Sequence, residues 1–245
     1  MLMKVIDAPL RQAGAVIAQS CADCPVRSEA LFGVLGSGTV ERAGEGVESV
    51  RLLPGQRVYA QGFIGGSLFT VREGIVRFER VTEAGDRRIV RLAGRGGLIG
   101  QEALLHQGYA DEAVACTEVQ VCRIPKAVVE RLAVREPTLH RELMRRWQSS
   151  LEAAEEWTAE LTSGTTRRRV LQLVARLAEL AGPSDCIWLP PRHEMGVMLD
   201  MAFETASRVI GQLRRERILE TYFPAGARVD RALLAQALHR ENNRM

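Results

Sequence analysis

The 245-residue sequence has few histidines, few aromatic residues and no long apolar run, and each shortage excludes a class of protein. Only His106 lies between residues 48 and 125, which is too few imidazoles for a metalloenzyme centre in that segment. No segment approaches the ~20 apolar residues that cross a bilayer, and the N-terminal residues form no secretory h-region. The sequence also contains no P-loop and no nucleophile elbow. We therefore expect a cytoplasmic protein that is not an enzyme and has no membrane partner.

Cysteine is present, but in an odd number that does not suit a disulfide framework. Cys116 and Cys186 lie in apolar segments, and we expect them to be small buried residues. Cys21 and Cys24 form a close pair near the N-terminus, for which ligation or redox chemistry is the better expectation.

Lysine is also scarce, and the basic residues are distributed unevenly. Arginine outnumbers lysine 31 to 2. Residues 163–245 contain 13 arginines and 9 acidic residues, a net charge of +4, whereas residues 1–162 contain 20 basic and 21 acidic residues, a net charge of −1. The basic C-terminal third suggests a polyanionic partner.

Short β-rich runs separated by glycine fill residues 46–125 and predict a small antiparallel barrel or jelly roll. Residues 1–45 carry little strand signal and form a separate N-terminal region. The predicted strands are Glu48–Leu53, Ser67–Arg72, Ile75–Val81, Arg88–Leu92 and Ala113–Ile124.

A long helix is predicted within residues 126–163, because no proline or glycine occurs between Pro137 and Gly164. Its apolar positions recur every three or four residues, as in a two-helix coiled coil, and predict a homodimer. The alternative is a single helix packed on its own domain. Gly164 is the expected hinge to a C-terminal domain of residues 164–245. The predicted dimer seam is Leu139, Leu143, Trp147, Leu151, Ala154, Thr158 and Leu161.

The C-terminal domain contains a helix–turn–helix pattern: a helix over 192–199, a turn over 200–202 and a second helix over 203–217. Glu204, Ser207 and Arg208 share one face of the second helix, with side chains that suit base edges in the major groove. We expect further DNA contacts from Thr205, Arg192 and Arg214. The opposite, apolar face should pack on Met195 and Leu199 and consists of Phe203, Ala206, Val209, Ile210 and Leu213.

Three segments in this order resemble the CRP/FNR family of bacterial transcription regulators. They are Cys21-Ala22-Asp23-Cys24-Pro25-Val26-Arg27, Val121-Cys122-Arg123-Ile124-Pro125 before the long helix, and Glu204-Thr205-Ala206-Ser207-Arg208. The resemblance implies an α+β protein with a cyclic-nucleotide-binding-like β-roll, a dimerisation helix and a winged helix–turn–helix domain. It also implies a homodimer on palindromic TTGA-type double-stranded DNA, with RNA polymerase as a partner if the protein is an activator. The rival interpretation is a ligand-binding regulatory module that never contacts DNA.

The sequence departs from the family pattern at several positions. Asp200 and Ala202 stand where the family usually has glycine and a hydroxyl helix cap, and loss of that cap costs ~1 kcal/mol. Asp111 and Glu112, beyond Gly100-Gln101-Glu102, replace the arginine and serine that hold a cyclic nucleotide's phosphate. Because two carboxylates repel a phosphodiester, cyclic AMP is not expected to bind in that mode.

The FNR branch of the family holds a [4Fe–4S] cluster on four cysteines. Cys21, Cys24 and Cys122 match three of those ligands, whereas Ala30 and Phe32 occupy the spacings of the missing one. Three interpretations stay open: a cluster with a non-cysteine ligand such as Asp23, a thiol-redox or metal site, and a pattern that binds no cofactor. Ala154 stands where the resemblance places an acidic residue that keeps FNR monomers apart, so we expect a constitutive dimer.

Overall fold

The computed structural model describes residues 16–17, 24–36, 38–39, 46–83, 85–222 and 225–243. It divides into two compact units, one of residues 1–86 with 90–152 and one of residues 87–89 with 153–245. Within the described ranges, no helix is both long enough and apolar enough to cross a membrane.

The first unit is a β-roll of two antiparallel sheets. One sheet has five strands in the order β1-β2-β9-β4-β7, and the other has four in the order β3-β8-β5-β6. The strands are β1 (Val16–Ile17), β2 (Glu48–Leu52), β3 (Arg57–Tyr59), β4 (Ser67–Glu73), β5 (Val76–Val81), β6 (Arg87–Ala93), β7 (Leu98–Ile99), β8 (Glu112–Ala115) and β9 (Val119–Pro125). The α+β fold with an N-terminal β-roll is therefore confirmed.

Strand β4 is buried on both of its faces because each face packs against a different apolar cluster. Alternate residues such as Phe69 and Val71 point into the roll, where they join the buried Phe78. On the outer face, Leu68 packs with Leu31 and the other residues of an N-terminal segment that contains two short 3-10 helices, Arg27–Glu29 and Leu31–Val34. The segment that contains Cys24 is thereby fixed on the sheet.

Two details of the strand prediction were wrong. Val16–Ile17 pairs with β2 as an edge strand, although residues 1–45 carry little strand signal. The segment predicted as one strand over Ala113–Ile124 is divided into β8 and β9. Its backbone turns at Cys116 and Thr117, where the Ile75 N–H donates to Thr117 Oγ1 at 3.0 Å and the Cys116 N–H donates to the Ile75 carbonyl at 2.8 Å.

Helices follow the roll. Helix α1 (Lys126–Ala133) comes first, and α2 (Pro137–Leu161) is the predicted long helix, beginning at the expected proline. It ends before Gly164, whose φ of +83° favours glycine. The bounds of the long helix thus agree with the sequence pattern.

The second unit contains the predicted winged helix–turn–helix. Its elements are α3 (Thr166–Leu180), β10 (Cys186–Trp188), α4 (Arg192–Leu199), α5 (Phe203–Arg215), β11 (Leu219–Tyr222), β12 (Gly226–Val229) and α6 (Arg231–Asn242). The strands form an antiparallel sheet in the order β10-β12-β11. Helix α3 packs against α5 and α6, and side-chain caps from Thr165 and Asp230 begin α3 and α6.

Candidate nucleic-acid interface and sensor site

Helix α5 has an apolar face and an exposed polar face. Ala206, Val209, Ile210 and Leu213 are buried, as predicted. Glu204, Ser207 and Arg208 are exposed on the other face. Within the residues that the structure describes, these three side chains make no recorded ion pair or side-chain hydrogen bond, so their polar groups are available to a ligand.

Phe203 contradicts the predicted buried face, because its side chain is 55 % exposed. It is the first residue of α5, before the buried positions of the helix begin at Ala206. The helix also ends at Arg215, two residues before the predicted end, and Arg217 has a φ of +59° that does not continue it.

The turn between α4 and α5 is tight. Asp200 adopts the left-handed conformation with φ 49°, which explains why glycine would be favourable there. The Met201 N–H donates to the Gly196 carbonyl at 3.1 Å, and a Cβ on Gly196 would lie only 2.7 Å from the Met201 carbonyl oxygen. Ala202 begins α5 without a side-chain cap, as expected from its methyl group.

The other predicted DNA contacts lie at the ends of these two helices. Arg192 is half-buried at the start of α4, and Arg214 is exposed in the last turn of α5. Burial, followed by repulsion from Arg214, lowers the pKa of Arg192. Thr205 is half-buried and lies beside the exposed face. The two arginines therefore concentrate positive charge that an anion would stabilise.

The wing adds residues that the sequence pattern did not single out. Arg228 and Tyr222 are exposed on β12 and β11. Cys186, predicted to be buried, is exposed instead, because its strand lies at the edge of the sheet and its side chain faces away from the core. A hydrogen bond with Cys186, followed by burial, raises the pKa of Tyr222. Cys116 is buried, as expected.

The β-roll carries acidic groups where a cyclic-nucleotide phosphate would need positive charge. Asp111 is buried, and its carboxylate accepts a hydrogen bond from Arg80 Nε at 2.7 Å. Glu112 forms an ion pair with Arg57. Both acidic side chains are thus paired with arginines of the same unit, and neither supplies the positive charge that would hold an anion.

Aromatic rings fill the inside of the roll. Tyr59 stacks on Tyr109 at a centroid distance of 4.0 Å, and Tyr109 Oη donates to the Ser67 carbonyl at 2.7 Å. Burial raises the pKa of Tyr59 well above its ordinary value. A Cβ on Gly65 would lie 1.9 Å from Tyr109 Oη, so only glycine permits this ring position.

Cys24 and Cys122 line one small cavity of about 30 Å³ on the outer face of the five-stranded sheet. Ala30 and Phe32, the residues at the spacings of the missing cysteine, line the same cavity. Cys122 lies opposite Ser49 on β2 and Thr70 on β4. Cys21 and Asp23, the remaining ligand candidates, lie outside the described residues.

Among the described residues that line this cavity, Cys24 and Cys122 are the only thiols, whereas a [4Fe–4S] cluster is normally held by four. Within the described part of the chain, no group of three or more His, Cys, Asp or Glu residues is placed to hold a metal. The buried Thr70 hydroxyl, for which the described residues provide no hydrogen-bond partner, is a poor substitute for a thiolate.

The predicted dimer seam is only partly exposed. Leu139 belongs to the core of the first unit and Leu161 is also buried, so these two predicted seam residues already pack within the chain itself. The middle of the seam remains accessible: Leu151 is 51 % exposed, and Leu143, Trp147 and Ala154 are half-buried. Met144, at 67 % exposure, extends this apolar surface.

Comparisons with known proteins agree with the architecture. Residues 49–136 match the cyclic nucleotide-binding domain family. The chain is 28 % identical over 206 residues to the transcriptional activator protein FnrA of Stutzerimonas stutzeri, covering 82 % of this chain and 84 % of that protein. It is 26 % identical over 200 residues to the nitrogen fixation regulation protein FixK of Bradyrhizobium diazoefficiens, covering 80 % and 84 %. The structure of FixK2 from Bradyrhizobium japonicum has the same fold, with a TM-score of 0.69 at 21 % identity, covering 78 % of this chain and 96 % of that one.

A β-roll of the cyclic-nucleotide-binding type followed by a winged helix–turn–helix defines a DNA-binding transcription regulator. Its relatives in these comparisons are transcription regulators and not enzymes. These relatives and the matched domain support a transcription regulator of the CRP/FNR type.

Proposed function

We propose that the protein is a homodimeric regulator that reads palindromic TTGA-type DNA without cyclic nucleotide and without a complete [4Fe–4S] cluster. The observation that carries this proposal is the exposed row of Glu204, Ser207 and Arg208 on α5. Arginine bonds guanine O6 and N7, glutamate accepts from cytosine N4, and serine bonds either a base or a phosphate. Arg192 and Arg214 supply positive charge for the phosphates beside the base contacts.

The apolar surface at the middle of α2 supports dimerisation. Met144, Trp147, Leu151 and Ala154 follow one another at intervals of three and four residues, which is the spacing of a coiled-coil seam. Ala154 adds no charge to this surface. A two-fold dimer would place two α5 helices about 34 Å apart, one turn of DNA, on a palindrome.

The β-roll lacks the charge pattern that the phosphate of a cyclic nucleotide requires. Asp111 and Glu112 are acidic, and the Tyr59–Tyr109 stack fills the inside of the roll. Any molecule or reaction that regulates the protein would therefore act at another site. We propose four parts of the chain: an N-terminal region (1–45), the β-roll (46–125), the dimerisation helix (126–163) and the helix–turn–helix domain (164–245). We also propose that the regulator acts in the cytoplasm, where its DNA lies. RNA polymerase is a partner if the protein activates transcription.

The experiment is a binding titration of the purified full chain, without added nucleotide, on two labelled duplexes. One duplex carries two TTGA-type half-sites as an inverted repeat, and the other has the same composition in scrambled order. Specific regulators prefer their site by ~10³-fold or more at physiological salt. Equal affinity for the two duplexes would favour the rival interpretation, a regulatory module that does not read DNA.

A second candidate function is an oxygen or redox sensor that uses Cys21, Cys24 and Cys122. The observation that favours it is the common cavity of Cys24 and Cys122. Its test is purification without oxygen, followed by measurement of iron, sulfide, the visible spectrum and the mass in solution. Near-stoichiometric iron and sulfide would support a cluster with an unusual ligand. A change in DNA affinity on reversible thiol oxidation of metal-free protein would support a thiol switch.

A further inference from the structure

Arg169 makes a contact within the protein that is separate from the DNA-reading residues. It lies in the first turn of α3, and its Nη1 donates to the Leu199 carbonyl at 2.5 Å and approaches the Asp200 carbonyl at 3.4 Å. Its Nε is buried and finds no hydrogen-bond partner among the residues that the structure describes. The half-buried side chain is therefore directed onto the turn by its hydrogen bonds.

The two carbonyls lie where α4 ends and the turn of the helix–turn–helix begins. They belong to the last residue and the C-cap of α4, where carbonyl groups lack intrahelical partners and the helix dipole is negative. A guanidinium satisfies both the hydrogen-bonding need and the partial charge. Since Asp200 is left-handed without being glycine, an added contact also stabilises a strained turn.

The end of the same turn, where α5 begins, has few stabilising side-chain contacts of its own. Ala202 provides no side-chain cap for α5, and Phe203 is largely exposed instead of anchoring the helix in the core. Besides the buried apolar face of α5, three contacts of the turn hold the start of this helix from the entry side. They are the Gly196–Met201 hydrogen bond, the contact of Arg169 with the Leu199 carbonyl, and the ion pair of Arg88 Nη1 with Asp200 Oδ1 at 2.6 Å. Glu204 lies only two residues beyond Ala202.

We propose that Arg169 is a positioning residue that sets the direction of the DNA-reading helix through the carbonyls of the turn and so determines site discrimination. It does not contact DNA. This inference rests on the proposed function, because α5 must read base edges for its direction to matter.

The test compares Arg169→Met with Arg168→Met in the full chain. Arg168 is the matched control, because it lies on the same helical turn and loses the same charge, but its Nε contacts Asn242 on α6. Arg169→Lys, which keeps the charge without the two-pronged donor, is a milder variant that keeps the test possible if the methionine variant does not fold.

Two readouts separate positioning from general destabilisation. Affinity for the inverted-repeat duplex should fall about tenfold or more in Arg169→Met, the loss of one well-placed base contact. Affinity for the scrambled duplex and the salt dependence should stay unchanged, since no phosphate contact is lost. Amide hydrogen exchange without DNA should accelerate at residues 201–205 and remain unchanged along α3.

Unchanged amide exchange at the turn in Arg169→Met, or equal losses on both duplexes with a smaller salt dependence, would overturn the positioning role. A different result would overturn the proposed function, namely equal affinity of the wild-type protein for the two duplexes. In that case the exchange measurement still reports whether Arg169 holds the turn.

Discussion

Cys24 and Cys122 line the same small cavity, although Cys24 lies between β1 and β2 in the sequence and Cys122 lies in the last strand of the β-roll. The short 3-10 helices that follow Cys24 cover the outer face of the sheet, which brings the two residues together. Two of the three cysteines that match the FNR-type pattern thus line one cavity.

Substitution of Ala30 by cysteine should convert this cavity into a better metal site. Ala30 lines the cavity, so Ala30→Cys adds a thiol beside Cys24 and Cys122. After reconstitution without oxygen, we expect iron, sulfide and cluster absorption in the variant and not in the wild type. Ala175→Cys, which adds a thiol to α3 in the second unit, is the control and should remain colourless. Equal cluster content in the wild type and Ala30→Cys would contradict the prediction.

Leu151→Glu should weaken the dimer, because it places a carboxylate in the exposed part of the seam, opposite its copy across the two-fold axis. The loss of one buried leucine costs ~2 kcal/mol per subunit before repulsion is added. The measurement is the dimer dissociation constant by sedimentation equilibrium. Ser149→Glu adds the same charge on the opposite, exposed face of α2 and should leave the constant unchanged. A wild-type protein that is monomeric at micromolar concentration would refute the constitutive dimer.

Arg208→Ala should reduce affinity for the inverted-repeat site by ~1–3 kcal/mol per contact, through loss of a bidentate bond to guanine. The measurement is a titration on the inverted-repeat and scrambled duplexes. Arg240→Ala removes an equally exposed arginine from α6 and serves as the control. If both variants lose the same affinity on both duplexes, Arg208 does not read sequence.

Glu142→Gln should reduce stability at neutral pH more than at low pH. Glu142 is buried and accepts hydrogen bonds from Arg145 and from Arg146 Nε at 2.6 Å. The bond from Arg145, opposed by burial and reinforced by Arg146, lowers the pKa of Glu142. The carboxylate therefore stabilises the fold above its unfolded pKa of ~4.3, and this contribution disappears as the pH falls through the lower folded value.

The free energy of unfolding in urea, measured between neutral and acid pH, checks this prediction. We expect the free energy of unfolding of Glu142→Gln to be ~1–3 kcal/mol lower than that of the wild type at neutral pH, and the difference to shrink below about pH 4. Glu155→Gln, at an exposed position of the same helix, should show no such pH dependence. A deficit that stays constant down to acid pH would exclude the charge of Glu142 as its source.

Local pattern in the sequence determined the elements of this protein and their chemistry. The stretch from Pro137 to Gly164 fixed the long helix, because proline and glycine limit helices through their own backbones. The spacing of Glu204, Ser207 and Arg208 fixed their common face, because helical periodicity is local. The family pattern also indicated Asp200 and Ala202 as departures, and the left-handed turn and missing cap give their structural effect.

Only the tertiary structure decided which surfaces are covered. Phe203 and Leu139 both lie at apolar positions of helical patterns, yet Phe203 is exposed and Leu139 is buried. Cys186 is exposed because its strand lies at a sheet edge, and Arg169 contacts the turn because α3 packs beside α5. Periodicity reports which face of an element is apolar, whereas burial depends on which element, distant in sequence, packs against that face.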